Sequence, residues 1–131
     1  MPNKSRQLIG TQGEDLAAAE LQRQGMVILD RNWRCRAGEL DIVAEDAGSL
    51  VFCEVKCRTG LGFGAPLEAI TYAKSRKLRQ LAAQWLAAHD VKAQRVRIDA
   101  IGVVMLPTSE PQITHLRGIG ECALPAPGRW P

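Results

Sequence analysis

The stretch Gly38–Arg58, GELDIVAEDAGSLVFCEVKCR, constrains this chain more than any other. Its β-branched and aromatic residues predict two strands, and DAGS predicts a tight turn between them. Yet Asp41, Glu54 and Lys56 stand inside those strands. A buried strand face excludes charges unless each has a partner. Glu54 and Lys56 are two residues apart and therefore share a face. If Ala47 and Gly48 form a two-residue loop, Val43 faces Phe52, Asp41 faces Glu54 and Glu39 faces Lys56. Directly opposed Cβ atoms lie about 4.5–5.5 Å apart. Two carboxylates at that distance repel unless positive charge lies between them. Mg²⁺ (or Mn²⁺) meets that need, because it is held by one or two carboxylates with water and a phosphate completing its shell. A three-residue loop with a glycine bulge is the alternative. It shifts the pairing by one and divides the site between two faces.

The rest of the chain supplies a frame for this hairpin. Thr11–Glu14 has the Thr-x-x-Glu form of a capping box, and a helix is expected from there to Gly25. MVILDRNWR predicts a first strand ahead of the hairpin. TGLGFGAP then gives a glycine-rich loop, read as a flap beside the hairpin's end. A second helix runs to about His89, with Leu78, Leu81, Trp85 and Leu86 on one face. RVRIDAIGVVML and QITHLRG predict a fourth and a fifth strand. The order αβββαββ implies an α/β fold, a mixed five-stranded sheet flanked by helices. Residues 1–121 form one expected domain, and the Pro/Gly-rich residues 122–131 an expected poorly ordered tail.

Composition excludes several classes. Over 131 residues, 46% are hydrophobic and 24% charged, which suits one soluble domain with its own core. No apolar run is long enough to span a bilayer, and MPNKSRQLIG has no signal-peptide core behind it, so a cytoplasmic location without membrane contact is expected. Cys53 and Cys57 share a strand face about 13 Å apart, too far for one zinc ion. His89 and His115 have no evident Ser or Cys partner, which argues against a triad hydrolase. The net charge is +3. Within residues 61–100, seven basic side chains stand against three acidic ones. Lys74, Arg76, Lys77 and Arg79 concentrate this charge and are candidates for nucleic-acid phosphates; a solvated helix face is the bland reading. Lys74 shares the inward stripe of Leu78 and Leu81.

Asp41, twelve residues, then Glu54-x-Lys56 resembles the PD-(D/E)xK nuclease motif. GELDIVAED, LVFCEVKCR, GAPLEAI with Lys74 after it, and RIDAIGV resemble the YraN family of small bacterial proteins, itself similar to Holliday-junction resolvases. The likeness covers roughly residues 10–118. It implies a restriction-endonuclease-like core, with Asp41 and Glu54 as metal ligands and Lys56 as catalytic lysine. Glu14 matches a glutamate that such resolvases carry on the first helix; closing the capping box is its other reading. Leu40 replaces the proline of the motif name, which is not a ligand. The expected function is a metal-dependent endonuclease on nucleic acid, DNA first, with branched DNA as one substrate and a homodimer left open. The alternative is a nucleic-acid-binding module on the same fold, without cleavage. Glu39 and Lys56 also read as a cross-strand ion pair, and Asp99 is left without a role.

Overall fold

A computed structural model describes residues 4–59, 72–91, 95–107 and 109–119. The elements are α1 (Lys4–Arg23), β1 (Val27–Cys35), β2 (Gly38–Asp46), β3 (Ser49–Arg58), α2 (Tyr72–Ala88), β4 (Val96–Val104) and β5 (Gln112–Leu116). The five strands form one sheet in chain order. All neighbours are antiparallel except β3 and β4, which run parallel. A parallel pair needs a crossover, and α2 lies on it. The expected αβββαββ order and mixed sheet are what the fold shows. The glycine-rich loop after β3 and the tail at 122–131 lie outside the described residues.

Each face of the sheet buries its own helix. On one face Ile42, Ala44, Val51, Cys53, Ile101 and Val103 pack against Ala17, Ala18 and Leu21 of α1. On the other, Leu40, Val43, Phe52 and Ile98 pack against Leu78, Leu81, Ala82 and Trp85 of α2. Cys53 belongs to the α1 side and Cys57 packs against it there. Gly13 lets α1 come close: a Cβ at that position would fall onto the Cys57 sulfur. Cys53 and Cys57 are thus packing groups on the face opposite Glu54.

The helix start differs from expectation. α1 begins at Lys4, so Thr11 and Glu14 lie inside the helix rather than at its cap. SRQLI contains good helix formers and no proline, so helix propagates upstream of the Thr-x-x-Glu pattern. The end is where the sequence put it. Gly25 N–H bonds to the Gln22 carbonyl at 2.9 Å and Met26 N–H to the Leu21 carbonyl at 3.0 Å, a Schellman closure.

Candidate functional site

The turn fixes the register of the hairpin. Ala47 (φ 51°) and Gly48 (φ 92°) form a two-residue loop with positive φ at both positions. The pairs Asp46–Ser49, Val43–Phe52 and Ile42–Cys53 follow, as the two-residue reading requires. Beyond Ile42–Cys53 the pairing of β2 with β3 stops, while β2 stays paired with β1 down to Gly38. The two strands fork there. Asp41 fills the fork: its Oδ2 accepts the Val55 backbone N–H at 2.8 Å, so a side chain replaces a ladder bond.

A backbone irregularity aims Asp41 this way. Leu40 and Val43 both face α2, although they are three residues apart. Strict alternation would put them on opposite faces. Asn32 of β1 lies between Arg31, paired with Ile42, and Trp33, paired with Leu40, and has φ 54°. The alternation breaks at this point, and Asp41 sits at the break.

Asp41 and Glu54 are buried, at 8% and 6% exposure. Burial, and next the Glu54 carboxyl that shares a hydrogen bond with it, push the Asp41 pKa up to about 8. The charge of Glu14 adds to this repulsion. Two lysines face the pair. Lys74 Nζ lies 2.9 Å from Glu54 Oε2, and Lys56 Nζ lies 3.6 Å from the same oxygen. The hydrogen bond to Glu54 raises the Lys74 pKa. A cleft of about 340 Å³ opens over the fork and is lined by Asp41, Glu54, Lys56, Lys74, Lys77 and Gly38, among others.

The structure therefore brings Asp41, Glu54, Lys56, Lys74 and Lys77 to one cleft. Arg76 is exposed on α2 outside the lining, and Arg79 departs from expectation. It is buried, at 5% exposure, so its side chain is not offered to phosphates. Ser75, Arg79 and Ala82 form a second buried stripe beside Leu78 and Leu81, because α2 turns a wide face inward. Glu14 is half-buried and does not line the cleft. Burial raises its pKa, against a hydrogen bond from Asn32 and the charge of Arg31. Glu39 pairs with Arg34, Oε2 to Nε at 2.7 Å, rather than with Lys56, since the strands have already forked. Asp99 lies on the α1 side, where it bonds Arg97, His115 and the Gly118 N–H. Sequence reasoning left it without a role because its partner His115 comes from another strand.

Among the described residues no group of three or more His, Cys, Asp or Glu is placed to hold a metal ion. The fork nonetheless suits a hard divalent cation. Its donors are carboxylate oxygens, two of them are forced together out of water, and a lysine ammonium already stands against one as a positive stand-in. No helix of the described residues is long and apolar enough to cross a membrane.

The family described as "Uncharacterised protein family UPF0102" matches residues 13–103. A UPF0102 protein of Nocardia farcinica is 49% identical over 114 residues, covering 87% of this chain and 90% of the relative. One from Beutenbergia cavernae is 47% identical over 117 residues, covering 89% and 99%. One from Mycolicibacterium smegmatis is 50% identical over 122 residues, covering 92% and 98%. The family match includes both strands of the forked hairpin and α2, and on these grounds the chain belongs to the UPF0102 family, the YraN family of the sequence resemblance.

Proposed function

We propose that this protein is a divalent-cation-dependent phosphodiesterase acting on nucleic acid, with DNA as the first candidate and branched DNA among its substrates. The observation that carries the reading is the Asp41–Glu54 pair, buried together and faced by Lys56 and Lys74 in an open cleft. A sheet gains nothing from opposing two buried carboxylates unless a cation or a reaction uses them.

Asp41 and Glu54 would hold Mg²⁺ or Mn²⁺ through their oxygens. When bound, the cation supplies Lewis acidity toward a phosphate oxygen and lowers the pKa of a bound water. The chain's own groups do the rest. The Val55 N–H holds one oxygen of the Asp41 carboxylate and so fixes its orientation at the fork. Lys56, on the same face as Glu54, places an ammonium where charge grows on a scissile phosphate. Lys77, exposed at the cleft's wall, adds a phosphate contact for the flanking backbone.

The test is a panel of labelled duplexes, flaps and four-way junctions incubated with Mg²⁺ or Mn²⁺, with EDTA as the zero. Cleavage by wild type that disappears in Asp41→Asn and Lys56→Ala supports the reading. Cation-independent binding of the same panel without any cleavage would instead favour a binding module, a reading consistent with the lack of a cluster of three metal-binding side chains among the described residues.

A further inference from the structure

Among the described residues, Glu54 is the carboxylate of the fork that meets a close cation from another element. Lys74 comes from the first turn of α2, while Asp41, Glu54 and Lys56 all come from the hairpin. Its ammonium lies 2.9 Å from Glu54 Oε2, nearer than the 3.6 Å of Lys56. Lys56 shares a strand and a face with Glu54, and its side chain is the less exposed of the two lysines, at 27%. Lys74 differs. Its side chain is 38% exposed against 8% for Glu54, and it has four rotatable carbons with which to swing toward the cleft. A divalent cation on Glu54 and an ammonium within hydrogen-bond distance of the same oxygen repel and compete for it. Both cannot hold that position at full occupancy.

We propose that Lys74 is a displaceable counter-ion: it neutralises Glu54 in the cation-free protein, and a divalent cation entering the fork expels its ammonium into the cleft, where it binds a phosphate of the substrate. The proposal rests on the reading of Asp41 and Glu54 as a cation site. It makes Lys74 a substrate-binding residue that couples cation loading to phosphate binding. The coupling is reciprocal, so a phosphate that draws Lys74 away from Glu54 also tightens the fork for the cation. It also explains how a lysine can share the inward stripe of Leu78 and Leu81 and still belong to a cleft open to solvent.

The experiment is calorimetric titration of Mn²⁺ into wild type, Lys74→Met and Lys74→Arg, with Asp41→Asn as the control for the site. Methionine keeps the length and apolar stem and removes the charge. Displacement predicts that Lys74→Met binds Mn²⁺ more tightly, about fivefold, because the competitor is gone. Lys74→Arg, which keeps a cation there, stays within about twofold of wild type. A second readout uses diamagnetic Mg²⁺ and the Lys74 Cε signal in protein labelled at lysine. Displacement predicts that this signal shifts on addition of Mg²⁺ in wild type and stays still in Asp41→Asn. Weaker or equal Mn²⁺ binding by Lys74→Met, with wild type binding normally, overturns the displacement and leaves the cation site standing. Absence of Mn²⁺ binding in wild type overturns both. Should Lys74→Met fail to fold, the Cε signal decides alone: a resonance unmoved by Mg²⁺ overturns the proposal.

Discussion

Asp41 and Asp99 are buried aspartates of the same sheet, and their surroundings drive them in opposite directions. Asp99, fully buried on the α1 side, is pushed up by burial, but hydrogen bonds from His115, Arg97 and the Gly118 N–H outweigh this and hold its pKa below the usual carboxylate value. His115 Nε2 lies 2.7 Å away and Arg97 Nε 2.9 Å away. Arg97 is braced in turn by Asp46 at 3.1 Å. Asp41, on the forked strand, gains one backbone N–H and faces another carboxylate. The first carboxylate is surrounded by everything an anion needs. Among the described residues the second has no ion pair of its own, and its neighbour Glu54 takes both nearby lysines. A carboxylate with complete internal satisfaction holds a fold together. One left short, beside an open cleft, is placed to bind something from outside.

The largest effect that separates the two comes from removing each carboxylate. Asp99→Ala strands Arg97 and His115 and should destabilise the protein by about 3 kcal/mol in urea unfolding, with or without divalent cation. Asp41→Asn should do the reverse in EDTA at pH 8. Asparagine still accepts the Val55 N–H, and the opposed charge is gone, so the variant should be more stable than wild type by about 1–2 kcal/mol. With millimolar Mg²⁺ or Mn²⁺, wild type should gain stability by mass action and Asp41→Asn much less. Equal gains for the two proteins would remove the physical basis for a cation at the fork.

The pH dependence of stability gives the next effect, with a different sign for each aspartate. A carboxyl whose folded pKa is raised binds more protons in the native than in the unfolded state. Stability from Asp41 is therefore intact below about pH 4 and is lost as pH rises toward 8. Asp99 is depressed, so its contribution is present above the unfolded value and is lost as pH falls below it. Urea melts of wild type and Asp41→Asn in EDTA should coincide near pH 4 and diverge steadily up to pH 8, the variant above. Parallel curves across that range would show that Asp41 is ionised throughout.

Much of this contrast was readable before folding, and the parts that were not share a cause. Of the two loop readings that the sequence leaves open, the two-residue Ala47-Gly48 turn is the one the fold adopts, and it brings Asp41 close to Glu54. The element order and the mixed sheet followed from spacing and turn signals as well. The fork did not: no local pattern in the hairpin signals that its pairing ends at Ile42–Cys53, beside the stretch of β1 where Asn32 has a positive φ. The burial of Arg79 was hidden because a stripe read from leucines and tryptophan alone understates how wide the inward face of α2 is. The Asp99–His115 pair joins residues sixteen apart on different strands, and no local pattern signals it. The start of α1 was misplaced because a capping pattern can occur within a helix that continues through it.

The smallest effect concerns where nucleic acid touches the protein, and it extends the comparison from carboxylates to basic side chains. On the α1 side the arginines are engaged: Arg97 with Asp46 and Asp99, and Arg117 with Asp46 at 3.5 Å. On the α2 side Lys77 lines the cleft and is exposed. A phosphate bound by Lys77 releases counter-ions, so duplex affinity falls with salt by about 0.9 log units per log unit of salt for each such contact. Lys77→Ala should therefore reduce the slope by about 0.9, measured by fluorescence anisotropy of a labelled duplex between low and physiological salt. Arg117→Ala should leave it unchanged, although Arg117 is about half exposed, because its charge is already offset by an aspartate. Arg79→Gln should lower stability without altering the slope, as fits a buried group. If instead Arg117→Ala flattens the slope and Lys77→Ala does not, nucleic acid lies on the α1 face, and the cleft over Asp41 and Glu54 serves some other ligand.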